Sequence, residues 1–160
     1  FNNLMGDTFI IPEAKIQEHS NYITGTDGQK MSKSKGNIID IFVDDRALKK
    51  QIMKIQTKSI SVDESKDPNE CNVFKLYKII ASQDDVKNLS LSYTRGGLGY
   101  GEAKEILYSE IINKYAKNRK KFFELMDDKQ VVEDLLIDGA EKARVQAQKV
   151  LKRVRANVGY

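Results

Sequence analysis

Gly28-Gln29-Lys30-Met31-Ser32-Lys33-Ser34-Lys35-Gly36-Asn37 divides this chain into two unlike parts, and we call residues 28–37 the lysine loop. Three lysines and two serines lie among glycines, and only Met31 has a side chain suited to a core. Ammonium groups, hydroxyls and glycine backbone that permits close approach together suit a polyphosphate. From charge composition alone, a solvated surface turn is the commoner explanation. The order of the residues favours the polyphosphate.

Lys30-Met31-Ser32-Lys33-Ser34 reproduces in full the KMSKS signature of the class I aminoacyl-tRNA synthetases, and the stretch resembles that family closely. The resemblance implies binding of ATP with Mg, and the implied ATP contacts are Lys30, Met31, Ser32, Lys33 and Ser34. It also implies catalytic roles for Lys33, the first candidate, and Lys30. Cations there would oppose the negative charge that builds on the departing pyrophosphate.

Segments along almost the whole chain resemble bacterial-type tryptophanyl-tRNA synthetases. They are Phe9-Ile10-Ile11-Pro12-Glu13, Thr26-Asp27-Gly28-Gln29, Cys71-Asn72-Val73-Phe74-Lys75-Leu76-Tyr77, residues 97–104, and Gly139-Ala140-Glu141-Lys142-Ala143-Arg144. Tyrosyl-tRNA synthetases share the fold class but lack these helical segments, and they are the alternative within the family. The resemblance implies tryptophan, ATP and tRNA(Trp) as partners, and a homodimer for the intact enzyme.

The family's second signature, a histidine motif of the HIGH type, has no counterpart in this sequence. The resemblance therefore implies the C-terminal half of a tryptophan–tRNA ligase, inactive alone, with most of the tryptophan pocket in the missing half. Residues 1–42 would complete a Rossmann-like catalytic domain, and residues 43–160 would form a helical domain that binds the tRNA anticodon. The alternative from another class is a stand-alone helical RNA-binding module whose lysine loop is only a solvated turn.

Composition narrows the class of protein. The chain has 40% hydrophobic and 31% charged residues, and no apolar run approaches the roughly 18–20 residues of a membrane span. Its N-terminus lacks the pattern of a signal peptide. One cysteine, Cys71, and one histidine, His19, can form neither an intrachain disulfide nor a structural zinc site. We expect a cytoplasmic protein without a metal site, with Cys71 as a buried filler and His19 on the surface.

The hydrophobic pattern predicts a mainly α fold, an antiparallel helical bundle preceded by the end of an α/β domain. Residues 1–6 are typical of a helix end, and Phe9-Ile10-Ile11, stopped by Pro12, predicts a buried parallel strand. One strand cannot form a sheet by itself. We therefore expect exposed apolar area at Ile10, Ile11 and Phe42.

Capping residues and periodicity predict the helices. One of about thirteen residues follows Asp44, a central buried helix is capped by Asn72, and another runs from Asp84 to the turn at Gly96-Gly97. A long helix begins at Glu102. A helical piece at residues 131–137 is predicted to be broken at Asp138-Gly139, before a last helix that ends at Gly159.

The last helix is basic, and its cations outnumber a single acid, Glu141. They are Lys142, Arg144, Lys149, Lys152, Arg153 and Arg155. Contact with RNA phosphates and simple compensation of the helix dipole explain this charge equally well from the residues alone.

Overall fold

The fold is described from a computed structural model over residues 1–15 and 22–160. These residues contain α1 (Asn2–Met5), α2 (Asp45–Met53), α3 (Asn72–Ile80), α4 (Gln83–Arg95), α5 (Tyr100–Asp127) and α6 (Lys129–Val158). Short 3-10 turns lie at Lys33–Lys35 and Pro68–Glu70. The predicted mainly helical class is confirmed. His19, predicted to be on the surface, lies outside the described residues.

Contacts divide the chain into two compact units. Ile16–Lys120 forms one, which holds α2, α3, α4 and most of α5. Phe1–Lys15 and Lys121–Tyr160 form the other, which holds α1, the end of α5 and α6. The domain boundary expected between residues 42 and 43 divides the chain by function and stays a prediction.

The helices of the Ile16–Lys120 unit bury one apolar cluster. Each contributes a side chain with no exposed surface, and these include Leu48, Ile52, Val73, Tyr93 and Leu107. The helix α2 begins after Asp44, whose carboxylate accepts a hydrogen bond from Ala47 N at 2.8 Å. It spans nine residues rather than about thirteen, although Ile55 beyond its end is still buried, as its spacing predicts. This cluster is the platform from which the lysine loop projects.

Asn72 does not cap α3, so that prediction is wrong. Cys71 is the N-cap residue and Asn72 is the first helical residue. The Asn72 amide instead donates to Gln56 O at 3.2 Å, which joins the start of α3 to the segment after α2. Cys71 is a buried filler as predicted, with its sulfur 3.3 Å from the hydroxyl of Tyr93.

The connection from α4 to α5 is a tight turn that requires glycine. Gly96 has φ of 82°, and a Cβ there would lie 2.4 Å from Asp63 O. Gly97 N donates to Val62 O at 2.9 Å, which closes the turn on the preceding loop. The helix α5 then starts at Tyr100, two residues before the predicted Glu102. The interhelix turn is confirmed.

Lys66 holds the loop that faces this turn. Its side chain is buried, with 2% of its surface exposed, and its Nζ donates to Ser61 O, Val62 O and Glu64 O at 2.8, 3.0 and 2.9 Å. An ammonium has three donors, so these carbonyls use its full capacity. The same residue donates its backbone N–H to Tyr93 O at 2.8 Å, which ties the loop to α4.

In the other unit, the predicted strand at Phe9-Ile10-Ile11 is wrong. No strand forms in the described residues, where an isolated antiparallel bridge joins Thr24 to Lys30. The Asn2 side chain accepts from Phe9 N at 2.9 Å and donates to Phe9 O at 2.7 Å, so one amide replaces a neighbouring strand. Ile10 and Ile11 are exposed as expected, at 91% and 77%, whereas Phe42 is half-buried.

The predicted break at Asp138-Gly139 is also wrong, because α6 is continuous through it. A glycine inside a helix costs about 1 kcal/mol relative to alanine. Strong helix formers on both sides offset that cost, and Asp138 accepts from Lys142 Nζ at 2.6 Å one turn later. The helix ends at Gly159 as predicted. Neither this helix nor any other in the described residues is both long and apolar enough to cross a bilayer.

We predict that Lys66→Met lowers the free energy of unfolding by about 2–4 kcal/mol, because three buried carbonyls lose their donor while the aliphatic stem is kept. Urea unfolding followed by circular dichroism measures this change. Lys75→Met, at an exposed position of α3, is the matched control and should change stability by less than about 0.5 kcal/mol. Equal midpoints for the two variants would contradict the role of Lys66.

Candidate functional site: the lysine loop

The lysine loop leaves a narrow hairpin. Met31 N donates to Ile23 O at 2.8 Å, and Gly25 N donates to Gln29 O at 2.7 Å. Between these bonds, Thr24 and Lys30 form the isolated bridge. Gly28, with φ of 81°, turns the chain at the tip of the hairpin. Lys30 therefore sits on backbone that is fixed on both sides.

The second half of the lysine loop is a single 3-10 turn. It spans Lys33–Lys35 and is closed by Gly36 in the left-handed conformation, with φ of 65°. Gly36 N donates to Lys33 O at 3.1 Å, and the hydroxyls of Ser32 and Ser34 lie 2.9 Å apart. The turn brings the two serines of the motif together at its start.

One buried amide joins the two halves. Asn37 is only 3% exposed, and its Oδ1 accepts from Ser32 N at 2.8 Å. Its Nδ2 donates to Lys30 O at 3.1 Å and to Asp27 Oδ1 at 2.8 Å. We call these three hydrogen bonds the Asn37 clasp. They fix the backbone on both sides of Met31.

The two lysines expected to act catalytically point away from this fixed backbone. Lys30 and Lys33 are exposed, and neither ammonium has a hydrogen-bond or ion-pair partner among the described residues. Lys35, which the prediction left out, donates to Gln29 Oε1 at 2.9 Å and is held at the side of the loop. The structure thus provides two uncommitted cations on one short turn.

The other predicted ATP contacts divide into an anchor and a polar edge. Met31 is half-buried and packs against the core cluster, so it holds the loop to the helices. Ser34 is exposed and Ser32 is half-buried. The backbone N–H groups of Met31 and Ser32 already donate within the protein, to Ile23 O and Asn37 Oδ1. These two residues can therefore offer a ligand only their carbonyls and side chains.

The base of the loop is tied to the helices at several points. Gln56 N donates to Thr26 O at 2.7 Å, just before the lysine loop. Beyond it, Asp40 N donates to the Gln51 side chain of α2 at 2.8 Å. Arg119 of α5, almost fully buried, donates to Ile41 O and, at 2.5 Å, to Asp45. The tip of the loop is exposed while its base belongs to the helical core.

Asp27, Asn37 and Gln56 escaped the reading of the sequence. Asp27-Gly28 and Gly36-Asn37 are ordinary turn pairs, and nothing in their spacing distinguishes a buried asparagine from a solvated one. Gly25 carries a similar hidden constraint, since a Cβ there would lie 2.5 Å from Asn37 Nδ2. Only the closed geometry reveals the clasp.

The charge of Asp27 is stabilised by this arrangement. The hydrogen bond from Asn37 and then that from Gln29 N hold the pKa of the Asp27 carboxyl below its usual value of 3.8. Carboxylates that accept hydrogen bonds in the folded state favour the charged form. No group of His, Cys, Asp and Glu side chains with the arrangement of a metal site occurs in the described part of the chain.

The comparisons agree with this description of loop and helices. The pattern of the family described as tRNA synthetases class I (W and Y) matches residues 1–116. The tryptophan–tRNA ligases of Campylobacter jejuni strain RM1221 and Rhodopirellula baltica are 40% and 38% identical over 159 residues, 99% of this chain. This chain spans about half the length of those curated relatives, 50% in both cases.

A solved structure is similar over the same extent. The tryptophanyl-tRNA synthetase from Campylobacter jejuni, complexed with ADP and tryptophan, matches 99% of this chain with a TM-score of 0.85 and 38% identity. The match covers 50% of that chain. A helical core that carries a KMSKS loop defines a class I aminoacyl-tRNA synthetase. This chain belongs to the family of class I tRNA synthetases for tryptophan and tyrosine.

We predict that the Asn37 clasp weakens only in strong acid. Because the pKa of Asp27 is lowered in the folded state, its stabilising effect is fully present above pH 3.8 and is lost as the pH falls through the folded pKa. NMR titration of the Asn37 side-chain amide should give a midpoint below pH 3.8, and Asp27→Asn should abolish that transition. A midpoint at or above pH 3.8 in the unsubstituted protein would contradict the assignment.

Proposed function

We propose that this chain is the C-terminal part of a tryptophan–tRNA ligase and that its lysine loop binds the phosphates of ATP. The observation that carries the proposal is the pair of uncommitted ammonium groups, Lys30 and Lys33, on a complete KMSKS motif. The likeness to a Campylobacter jejuni tryptophanyl-tRNA synthetase complexed with ADP and tryptophan supports the nucleotide and the amino acid.

In the proposed reaction, the carboxylate of tryptophan attacks the α-phosphorus of ATP. A bond forms from that carboxylate oxygen to phosphorus, and the bond from phosphorus to the bridging oxygen of the β-phosphate breaks. Tryptophanyl-adenylate and pyrophosphate result, and the tryptophanyl group then passes to tRNA(Trp). Mg²⁺ would enter with ATP as part of the substrate. Negative charge grows on the departing pyrophosphate, so cations there favour the transition state.

Lys30 and Lys33 fit this task because of what they lack and what they have. Neither ammonium has a partner among the described residues that it would have to leave. The backbone that carries them is fixed by the hairpin and by the Asn37 clasp, so few loop conformations compete with the productive one. We assign charge stabilisation to both, with Lys33 the principal group. Met31 anchors the loop, and Ser32 and Ser34 offer hydroxyls to ATP.

The helix α6 is the proposed tRNA contact. Lys142 pairs with Asp138, and Arg153 donates to Thr8 O at 3.1 Å. Arg144, Lys149, Lys152 and Arg155 are exposed and have no printed partner in the described chain. Exposed cations without a competing carboxylate are the groups that phosphates recruit. The family resemblance supports a role in binding tRNA, a homodimeric intact enzyme and a cytoplasmic location.

This chain alone would not perform the reaction. Its half of the relatives' length supplies one cationic loop, whereas the proposed reaction also needs groups that hold tryptophan and the other side of ATP. Those groups would come from the other half of the full-length protein.

In the full-length protein, Lys33→Ala should lower the rate of tryptophan-dependent ATP–pyrophosphate exchange by roughly 30- to 1000-fold, or about 2–4 kcal/mol, since one charge-assisted contact to the leaving group is lost. Lys30→Ala should act in the same direction. The matched control is Lys35→Ala in the same loop, whose ammonium is held by Gln29 and should matter less than about threefold. An exchange rate unchanged by Lys33→Ala would contradict the assignment.

We further predict that Arg144→Ala and Arg155→Ala weaken binding of tRNA(Trp) and of an unrelated tRNA alike. Each loss of a phosphate contact should reduce the slope of log K against log salt by roughly one. A salt series of filter-binding titrations measures this slope. Lys142→Ala, whose ammonium already pairs with Asp138, is the control. Slopes equal to that of the unsubstituted protein would exclude α6 from the contact.

A further inference from the structure

We propose that Asn37 is a positioning residue for the adenylation step: its side-chain amide fixes the lysine loop so that Lys30 and Lys33 meet the phosphates of ATP in a single arrangement. This inference rests on the proposed function of the loop. It adds a residue outside the five of the signature, one that touches no substrate and acts only through the backbone that carries the two lysines.

Burial is the first observation. The residues from Gln29 to Gly36 are exposed or half-buried, yet Asn37 is 97% buried beside them. A buried amide costs free energy unless it is hydrogen-bonded. Both Nδ2 hydrogens and the Oδ1 of Asn37 find partners, so the amide is stable only while the loop keeps its shape. The loop and the amide therefore constrain each other.

The choice of partners is the second observation. Lys30 O and Ser32 N flank Met31, and the same amide binds both. These bonds fix the peptide units that precede and follow Met31, and so the direction in which the Lys30 side chain leaves the hairpin. Ser32 is also the N-cap residue of the turn that begins at Lys33. One side chain thus sets the starting point of both catalytic lysines.

The close fit around Asn37 is the third observation. A Cβ at Gly25 would lie 2.5 Å from Asn37 Nδ2 and 2.7 Å from Asn37 O, so the hairpin passes directly against this residue. Thr26 N donates to Asn37 O at 2.9 Å, which holds the backbone as well as the side chain. No room exists for a longer side chain, and of the residues with the same shape only asparagine has both donors and an acceptor.

Asp27 supports the amide from behind. Its Oδ1 accepts from Asn37 Nδ2 and from Gln29 N, at 2.8 and 3.0 Å. The charged group that acts on this carboxylate is Lys35, which lowers the Asp27 pKa slightly. With the carboxylate in place, the Asn37 amide has one orientation, with Nδ2 toward Asp27 and Oδ1 toward Ser32. The orientation is therefore a property of the pair.

The test uses the full-length protein and tryptophan-dependent ATP–pyrophosphate exchange. Asn37→Ala should lower kcat by roughly a hundredfold, because a displacement of the loop by about 1 Å is enough for such a loss. The KM for tryptophan should stay within about twofold, and the thermal midpoint within a few degrees, since the apolar core is untouched. Hydrogen exchange of the peptide that contains Ser32 should become faster. Asn88→Ala, at an exposed position of α4, is the matched control.

Asn37→Asp keeps the shape and separates positioning from simple loss of structure. It places a second carboxylate against Asp27, with Lys35 as the neighbouring cation. At neutral pH this variant should be as slow as Asn37→Ala. Its rate relative to the unsubstituted enzyme should rise as the pH falls, because a shared proton restores a donor between the two acids.

Three results would overturn the proposal: unchanged kcat in Asn37→Ala, loss of kcat only in proportion to the unfolded fraction, or a relative rate of Asn37→Asp that does not vary with pH. Failure of the proposed function is a different result. In that case the unsubstituted full-length protein would show no tryptophan-dependent exchange at all.

Discussion

The lysine loop depends on the hydrogen bonds of one buried amide. A stretch of lysine, serine and glycine buries too little apolar surface to hold a shape, and Met31 is its single apolar side chain. Asn37 supplies what the core cannot, since it binds the carbonyl before Met31 and the N–H after it. A polar, cationic loop can thus be ordered without neutralising its cations.

The helical core determines where this loop stands. Gln56 after α2, Gln51 within α2 and Arg119 on α5 each bind backbone before or after the loop. Arg119 is the furthest from the loop in sequence, and its buried guanidinium binds Ile41 O and Asp45 together. These bonds join the base of the loop to the same helices that bury Leu48, Val73 and Leu107. The loop and the helices of the Ile16–Lys120 unit consequently form one compact body.

Much of this could be predicted from the sequence. Residue order identified the KMSKS motif, and periodicity identified the core positions Leu48 and Ile52, because both signals are local. The strand at residues 9–11 was wrong because a strand is defined by its neighbours, and here the Asn2 side chain takes their place. The break at Gly139 was wrong because a local glycine penalty is smaller than the preference of the flanking helix.

Asn37 shows the limit of such reasoning most clearly. Its partners lie five, seven and ten residues away in the sequence, with no periodicity to connect them. An asparagine after a glycine is as typical of an exposed turn as of a buried clasp. Its role follows from burial and from the simultaneous geometry of three hydrogen bonds, which only a folded chain provides.

The measurement that tests the account most directly compares ATP–pyrophosphate exchange by the full-length protein and by this 160-residue chain, with tryptophan or tyrosine as substrate. The account predicts exchange by the full-length protein with tryptophan, far slower exchange with tyrosine, and none by this chain alone. Exchange by the isolated chain, or a full-length protein that prefers tyrosine, would contradict it.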